Sequence, residues 1–376
     1  MTSKTHFLCL SIGTLTMLSC LIPQFTQSQP NALLSDIDAA KEKTIEGHLQ
    51  QELQLAGDYM TGRGVARDIT RSAYWYHKAA DQGYPGAQVQ LGYFYLTGLG
   101  VERNEAEAAK WFERAAASGS KEGKLNLAAL YIRGSVVPRD PHLGFVMLQE
   151  LADKQFPCAE DYLGISYLFG IGVAKDPVKA EKWFERAASH HSPEGEYAMG
   201  SLYSTISGHE HDFVKAAEYL RRSANRGYVN SMHSLGLLLV NHPELDQQTG
   251  EARHWLESGA EGGSYRSSVV MGVLARDGRG VPKDEEAAYQ WFTIAVKQGG
   301  QVAEMLLRAD MKLAHNTLTA EQQARAEEAA KDWLTAHPHE DVFLSNGGSN
   351  HASFPMGEIY ATGQDTQGAD KGASTN

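Results

Sequence analysis

Apolar residues recur along most of this chain with two superimposed periods. The short period is helical. Leu91, Phe94 and Tyr95 fall on one face of the segment 86–97, and Ala108, Ala109, Phe112 and Ala115, with Trp111 beside them, fall on one face of 105–118. The long period is 36 residues: an aromatic position returns at Trp75, Trp111, Trp183, Tyr219, Trp255 and Trp291, with Met147 in the same column. The first glycine of a Gly-x-Gly-Val loop returns at Gly62, Gly98, Gly134, Gly170 and Gly278, while the loops at 206 and 242 keep the length without the motif. Two-helix units that cannot each bury an apolar face alone do so by stacking on their neighbours, so a period of this length predicts a solenoid. The expected fold is all-α: seven helix-turn-helix repeats of 36 residues over 51–302, roughly 51–86, 87–122, 123–158, 159–194, 195–230, 231–266 and 267–302. A stack shares one continuous core, which overrides the two or three domains that 376 residues would otherwise suggest.

The polar punctuation agrees with this register. Asp68, Asn104, Asp140, Asp176, Asp212 and Asp284 share the column just before the second helix, where a short polar side chain accepts backbone N–H bonds. Gly83, Gly119, Gly227, Gly263 and Gly299 share the column at its end, where a left-handed residue is common. Small residues at Ala87, Ala159 and Ala303, and at Gly92, Gly164, Gly200, Gly236 and Gly272, predict close helix approach. Asn31–Gly47 reads as a half-repeat, giving an N-terminal capping helix within 29–50. Val302–His315 and Thr319–Ala336 read as capping helices over 303–337, the second opened by Thr319-Ala320-Glu321-Gln322. From 338 to 376 the composition turns to Gly, Asn, Ser, Gln and Thr and predicts a disordered tail.

The residues that carry the repeat also carry a resemblance. Leu91-Gly92, Tyr95, Gly98, Gly100-Val101, Asn104, Ala108, Trp111-Phe112, Ala115-Ala116 and Gly119 resemble the Sel1-like repeat, a relative of the tetratricopeptide repeat with a longer loop between its helices. Leu163-Gly164, Tyr167, Gly170, Gly172-Val173, Asp176, Ala180, Trp183-Phe184 and Ala187-Ala188 repeat the match. The resemblance implies a right-handed α-solenoid and a non-catalytic adaptor for protein–protein contact, often in exported bacterial proteins. Departures fall at Gly134-Ser135-Val136, Ile206-Ser207-Gly208 and Asn241-His242-Pro243, where individual function is expected. A cysteine-rich branch of the family is linked to β-lactam binding. This chain lacks that branch's cysteines, so the activity is not carried over.

The first helix of each repeat lines the concave face in relatives of this fold. Its variable columns nominate a partner-binding stripe of Gln90, Tyr93, Thr97, Asn126, Arg133, Tyr162 and Phe169, rich in the Tyr and Arg of interface hot spots. The bland reading of Tyr93 and Tyr162 is that they fill gaps between repeats. The expected partner is a protein or peptide.

Composition narrows the rest. A formal net charge of -12 argues against non-specific nucleic-acid binding. Lys4, the apolar run Phe7–Ile22, Pro23 and Thr26-Gln27-Ser28 form a secretory leader over 1–28, cut after Ser28, which places the product in the periplasm or outside the cell. Left uncut, that segment is the one expected contact with a membrane. Cys9 and Cys20 lie in the leader, so Cys158 is expected to be a buried lone thiol. The Gly-x-Gly-Val loops join helices rather than strand to helix and recur, so they are not a nucleotide fingerprint. His190-His191 and His209-Glu210-His211-Asp212 are dense in histidine, but they sit at different ends of their repeats; no metal, no cofactor and no catalytic set is expected. The alternative reading is an envelope hydrolase of the β-lactam- or peptidoglycan-binding type.

Overall fold

The computed structural model describes residues 49–133, 140–205, 212–247 and 250–338. The leader, the N-terminal half-repeat, Gly134-Ser135-Val136, the loop with His209 and the tail from 339 lie outside the described residues. The described residues hold fifteen α-helices, one short 3₁₀ turn and no strand. In chain order the helices are α1 (Leu49–Thr61), α2 (Ile69–Asp81), α3 (Pro85–Thr97), α4 (Glu105–Ala117), α5 (Lys121–Arg133), α6 (Pro141–Asp153), α7 (Pro157–Phe169) and α8 (Pro177–Ser189). They continue as α9 (Pro193–Thr205), α10 (Phe213–Asn225), α11 (Val229–Asn241), α12 (Glu251–Glu261), α13 (Tyr265–Asp277), α14 (Glu285–Thr317) and α15 (Ala320–Ala336). The chain forms two compact units that divide between Ala180 and Glu181.

The expected caps are present. The side chains of Asp68, Asn104, Asp140, Asp176, Asp212 and Asp284 each accept a backbone N–H from the first turn of the adjoining helix, at 2.9–3.1 Å. Thr319 and Gln322 close a reciprocal capping box on α15. The glycine column behaves as expected at Gly83, Gly119, Gly227 and Gly263, all with φ of 86 or 87°. Two repeats place a side chain there instead, Gln155 at φ 55° and His191 at φ 64°. At the last member the register slips by one. Gly299 stays helical, at a point where a Cβ would meet the Tyr265 ring and Ala303, and Gly300 takes φ 55°, ψ −139°. The backbone thus kinks inside α14 rather than stopping.

Packing within a repeat turns on the small-residue column. A Cβ on Gly92 would sit 2.5 Å from the Phe112 ring; on Gly200, 2.7 Å from Leu220; on Gly236, 2.6 Å from Leu256. Gly272 stands in the same relation to Phe292. The side chains that occupy these spaces, Phe112, Leu220, Leu256 and Phe292, are all buried. Around Phe112 the core joins three helices: Val89 and Tyr93 from α3, Ala108, Ala109 and Ala115 from α4, Leu127 and Leu130 from α5. In the second unit Ala216, Ala217, Leu220 and Ala224 of α10 pack with Leu235, Leu238 and Leu239 of α11, flanked by Tyr197 and Trp255.

Trp75 and Trp111 are buried, and Trp183, Trp255, Trp291 and Trp333 are half-buried. Lys78, Arg114 and Arg186 lie 4.5–5.1 Å over the rings of Trp75, Trp111 and Trp183, one helical turn away. These rings pack in the helical hairpins, as the periodicity predicts.

Where the Gly-x-Gly-Val motif is lost, at Asn241-His242-Pro243, a charge pair takes over. Arg221 forks onto both Glu251 oxygens at 2.6 and 2.9 Å and donates to the Leu245 carbonyl at 2.6 Å. That holds the 3₁₀ turn Pro243–Leu245 against α10, and both side chains are only about a tenth exposed. Cys158 is buried and disulfide-bonded, against the expectation of a lone thiol; Cys9 and Cys20, the other cysteines of the chain, lie outside the described residues.

Gly92→Ala puts a methyl into the space of the Phe112 ring, which is fully enclosed and has nowhere to move. The expected result is a loss of about 1–3 kcal/mol in urea unfolding with unchanged helical circular dichroism in water.

Candidate functional site

The nominated stripe lies on α3, α5 and α7, all in the first unit. The structure corrects its exposure. Gln90, Tyr93, Asn126 and Tyr162 are interior residues, at 4–7% exposure. The Tyr93 hydroxyl donates to Asn126 Oδ1 at 2.6 Å, and Asn126 Nδ2 donates to the Glu122 carbonyl at 2.7 Å. The Tyr93 ring meets Phe112 edge-on at 5.5 Å. Burial, with the Tyr162 phenol nearby, holds the Tyr93 hydroxyl well above the ordinary tyrosine range, so it stays a neutral donor. Tyr93 and Asn126 thereby join one repeat to the next, which is the gap-filling reading of Tyr93. Helices packed this closely cover their own facing columns.

The remaining three positions form a rim at the ends of the same helices. Thr97 and Phe169 are half-buried and Arg133 is exposed. Thr97 is tied down through its hydroxyl to the Tyr93 carbonyl at 2.8 Å. Arg133 reaches Glu105 of the preceding repeat at 3.1 Å, and Arg103 shares that carboxylate. The rim therefore offers an arginine already oriented by a carboxylate and, one repeat on, a partly exposed phenylalanine.

A second feature escaped the sequence reading. Between the first half of α14 and α15 lies a groove of about 670 Å³. Val296, Met311, Ala330 and Leu334 give it apolar walls, and Lys297, Lys331 and Glu327 carry charge along it. The Tyr289 hydroxyl donates to Glu327 Oε1 at 3.0 Å; burial and this carboxylate push its pKa up to about 12. The legible signal was the missing loop motif: at Ala314-His315-Asn316 no Gly-x-Gly stops the helix, so α14 runs on to Thr317.

Comparison with known proteins identifies the repeat. The Sel1 repeat model matches at 52–84, 85–120, 122–156, 159–192, 193–228, 230–264 and 270–300, more than half of the chain. The chain belongs to the Sel1 repeat family. A Sel1 repeat protein from Oxalobacter formigenes is 26% identical in its solved structure, with a TM-score of 0.51 over 60% of this chain and 93% of that one. A protective antigen of uropathogenic Escherichia coli with the same repeat fold is 21% identical, with a TM-score of 0.36 over 89% of this chain and 83% of that one. An immunity protein from Pseudomonas aeruginosa is 19% identical, with a TM-score of 0.41 over 67% and 83%. Among curated proteins none matches the chain. As a Sel1 repeat protein the chain has an all-α solenoid fold of a kind that generally serves as a non-catalytic scaffold for protein–protein contact.

Ser267 Oγ lies 3.5 Å from His233 Nδ1, an approach that in another setting would suggest a nucleophile and its base. Here burial, aided by the Arg266 charge, pushes His233 down to about 4, which makes it a poor proton acceptor at neutral pH. Among the described residues no three His, Cys, Asp or Glu side chains converge on a common point, and no helix is long and apolar enough to cross a membrane. His209–His211 lie outside the described residues.

Tyr93→Phe leaves Asn126 Oδ1 buried without that donor. Urea unfolding is expected to show a loss of about 1–3 kcal/mol with the fold retained. A second expectation concerns pH. The folded pKa of His233 lies below its unfolded value of 6.5. Its contribution is therefore fully present above pH 6.5 and is lost as pH falls toward 4. The urea midpoint of the wild type should drop over that window, and that of His233→Gln should drop less; parallel curves would contradict the assignment.

Proposed function

We propose that this chain is an exported, non-catalytic Sel1 scaffold that captures a protein or peptide partner in the cell envelope or outside the cell. Residues 1–28 act as its secretory leader, cut after Ser28. The partner meets the rim formed by Thr97, Arg133 and Phe169, where neighbouring repeats differ from one another. The observation that carries the reading is the run of seven Sel1 repeats from 52 to 300, a repeat that generally serves protein–protein contact. Arg133 supports the choice of place: its guanidinium is fixed by Glu105 yet exposed, so little side-chain entropy remains to be lost on binding. Phe169 adds apolar area beside it. The scaffold needs no cofactor, and the acidic balance of the chain disfavours nucleic acid as a partner.

The test is a cross-linking capture from the native envelope fraction and culture fluid, followed by reconstitution with the purified captured protein. The full chain is run beside an Arg133→Ala/Phe169→Ala variant with unchanged circular dichroism. Binding that the variant weakens tenfold or more, about 1.4 kcal/mol, supports the rim. Equal binding moves the site to the altered loops at 206–211 and 242–247, and no captured partner overturns the scaffold reading. The mass of the exported chain, before and after reduction, reports the leader: the expected product after reduction is residues 29–376. Because Cys9 and Cys20 both lie in the leader, retention through Cys158 would show as a mass that falls on reduction.

A further inference from the structure

The groove of the last hairpin lies between two helical segments that run in the same direction. Three pairs in register between the first half of α14 and α15 show this. Arg325 forks onto Glu286 at 2.8 and 2.9 Å, Tyr289 meets Glu327 at 3.0 Å, and Trp291 meets Trp333 edge-on at 5.5 Å. The groove between them therefore has two distinguishable ends. Tyr289 and Glu327 close the first. Lys297, Leu334 and Thr335 come later along both helices and mark the second. Lys331 is paired with Glu328 at 2.8 Å, whereas no carboxylate among the described residues pairs with Lys297. The walls between are apolar. At about 670 Å³ the groove is large enough to enclose two or three side chains.

The chain leaves the described fold at this second end. His337 Nδ1 donates to the Trp333 carbonyl at 2.9 Å and Nε2 approaches Glu261 at 3.7 Å, and Gln298, next to Lys297, donates to the Ala260 carbonyl at 2.8 Å. Both Glu261 and Ala260 belong to the last turn of α12, so the exit at Pro338 and the Lys297 end of the groove lie together. Beyond Pro338 the sequence continues as His339-Glu340-Asp341-Val342-Phe343-Leu344: two carboxylates, then three apolar residues. The order matches the groove, with a cation first and the apolar walls beyond. The length matches as well. Thr335 back to Glu327 spans about 12 Å of helix, and five extended residues reach about 16 Å.

We propose that this groove is a peptide site for an acidic segment followed by an apolar one, and that its occupant is the chain's own residues 340–344. Glu340 and Asp341 face Lys297, and Val342, Phe343 and Leu344 cover Val296, Met311 and Leu334. Glu327, the groove's own carboxylate, is held by the Tyr289 hydroxyl at the far end, away from the incoming charges. The inference is independent of whether the rim at Arg133 binds a partner.

A photo-cross-linker tests it in the full chain. p-Benzoylphenylalanine replaces Phe343, and the irradiated protein is mapped by peptide mass spectrometry. Expected are intramolecular links, in the monomer band, to the peptides carrying Met311 or Leu334. Lys297→Glu, a change on an exposed side chain, lowers their yield about fivefold, and Glu340→Lys/Asp341→Lys added to it restores the yield. Three results would each overturn the proposal: links to the exposed apolar row Val302, Met305, Leu306 and Leu313 on α14, links that appear only in a concentration-dependent dimer, or no links at all.

Discussion

The approach of the second helix to a glycine on the first, in the second, fifth, sixth and seventh repeats, is the constraint on which the rest of the structure depends. Phe112 over Gly92, Leu220 over Gly200, Leu256 over Gly236 and Phe292 over Gly272 bring helix axes closer than any Cβ would permit. The ring or branched side chain placed there is fully enclosed, and the neighbouring repeat then packs on a surface whose height is fixed. The loop glycines obey the same closeness. At Gly100 a Cβ would strike the Ile69 carbonyl of the preceding repeat, so the loop needs both a left-handed backbone and no side chain.

Polar groups adjust to this frame rather than set it. The Asp and Asn caps satisfy amides that the tight hairpins would otherwise strand, and they recur because the geometry recurs. Where the loop motif disappears in the sixth repeat, the Arg221–Glu251 pair and the Leu245 carbonyl keep the hairpin closed by a different chemistry. Gln155 and His191 tolerate a left-handed backbone that glycine adopts more cheaply, a local cost on the order of 1–2 kcal/mol that the surrounding packing offsets.

For function, the same closeness sorts side chains into two classes. Tyr93 and Asn126 are hydrogen-bonded inside the stack, so residue types common at interfaces serve here to join repeats. Arg133, beyond the covered columns at the end of its helix, remains exposed and oriented. The C-terminal hairpin lacks a loop that would stop its first helix, and its groove opens next to the point where the chain leaves the fold.

Much of this was legible in the sequence. The period, the helix limits near 97, 105 and 117, the capping aspartates and the glycine column all obey local rules that act within one turn or one repeat. The sequence by itself therefore determined the family and the all-α repeat. It could not say which variable residues face water, because a column at helical spacing looks the same whether a neighbouring helix covers it or not. Tertiary structure decided that Gln90, Tyr93, Asn126 and Tyr162 are interior and Arg133 is not, that the kink falls at Gly300 rather than Gly299, and that Tyr289 and Glu327 meet across 38 residues. Each of those depends on the distance between two helices, which is set by the side chains of both.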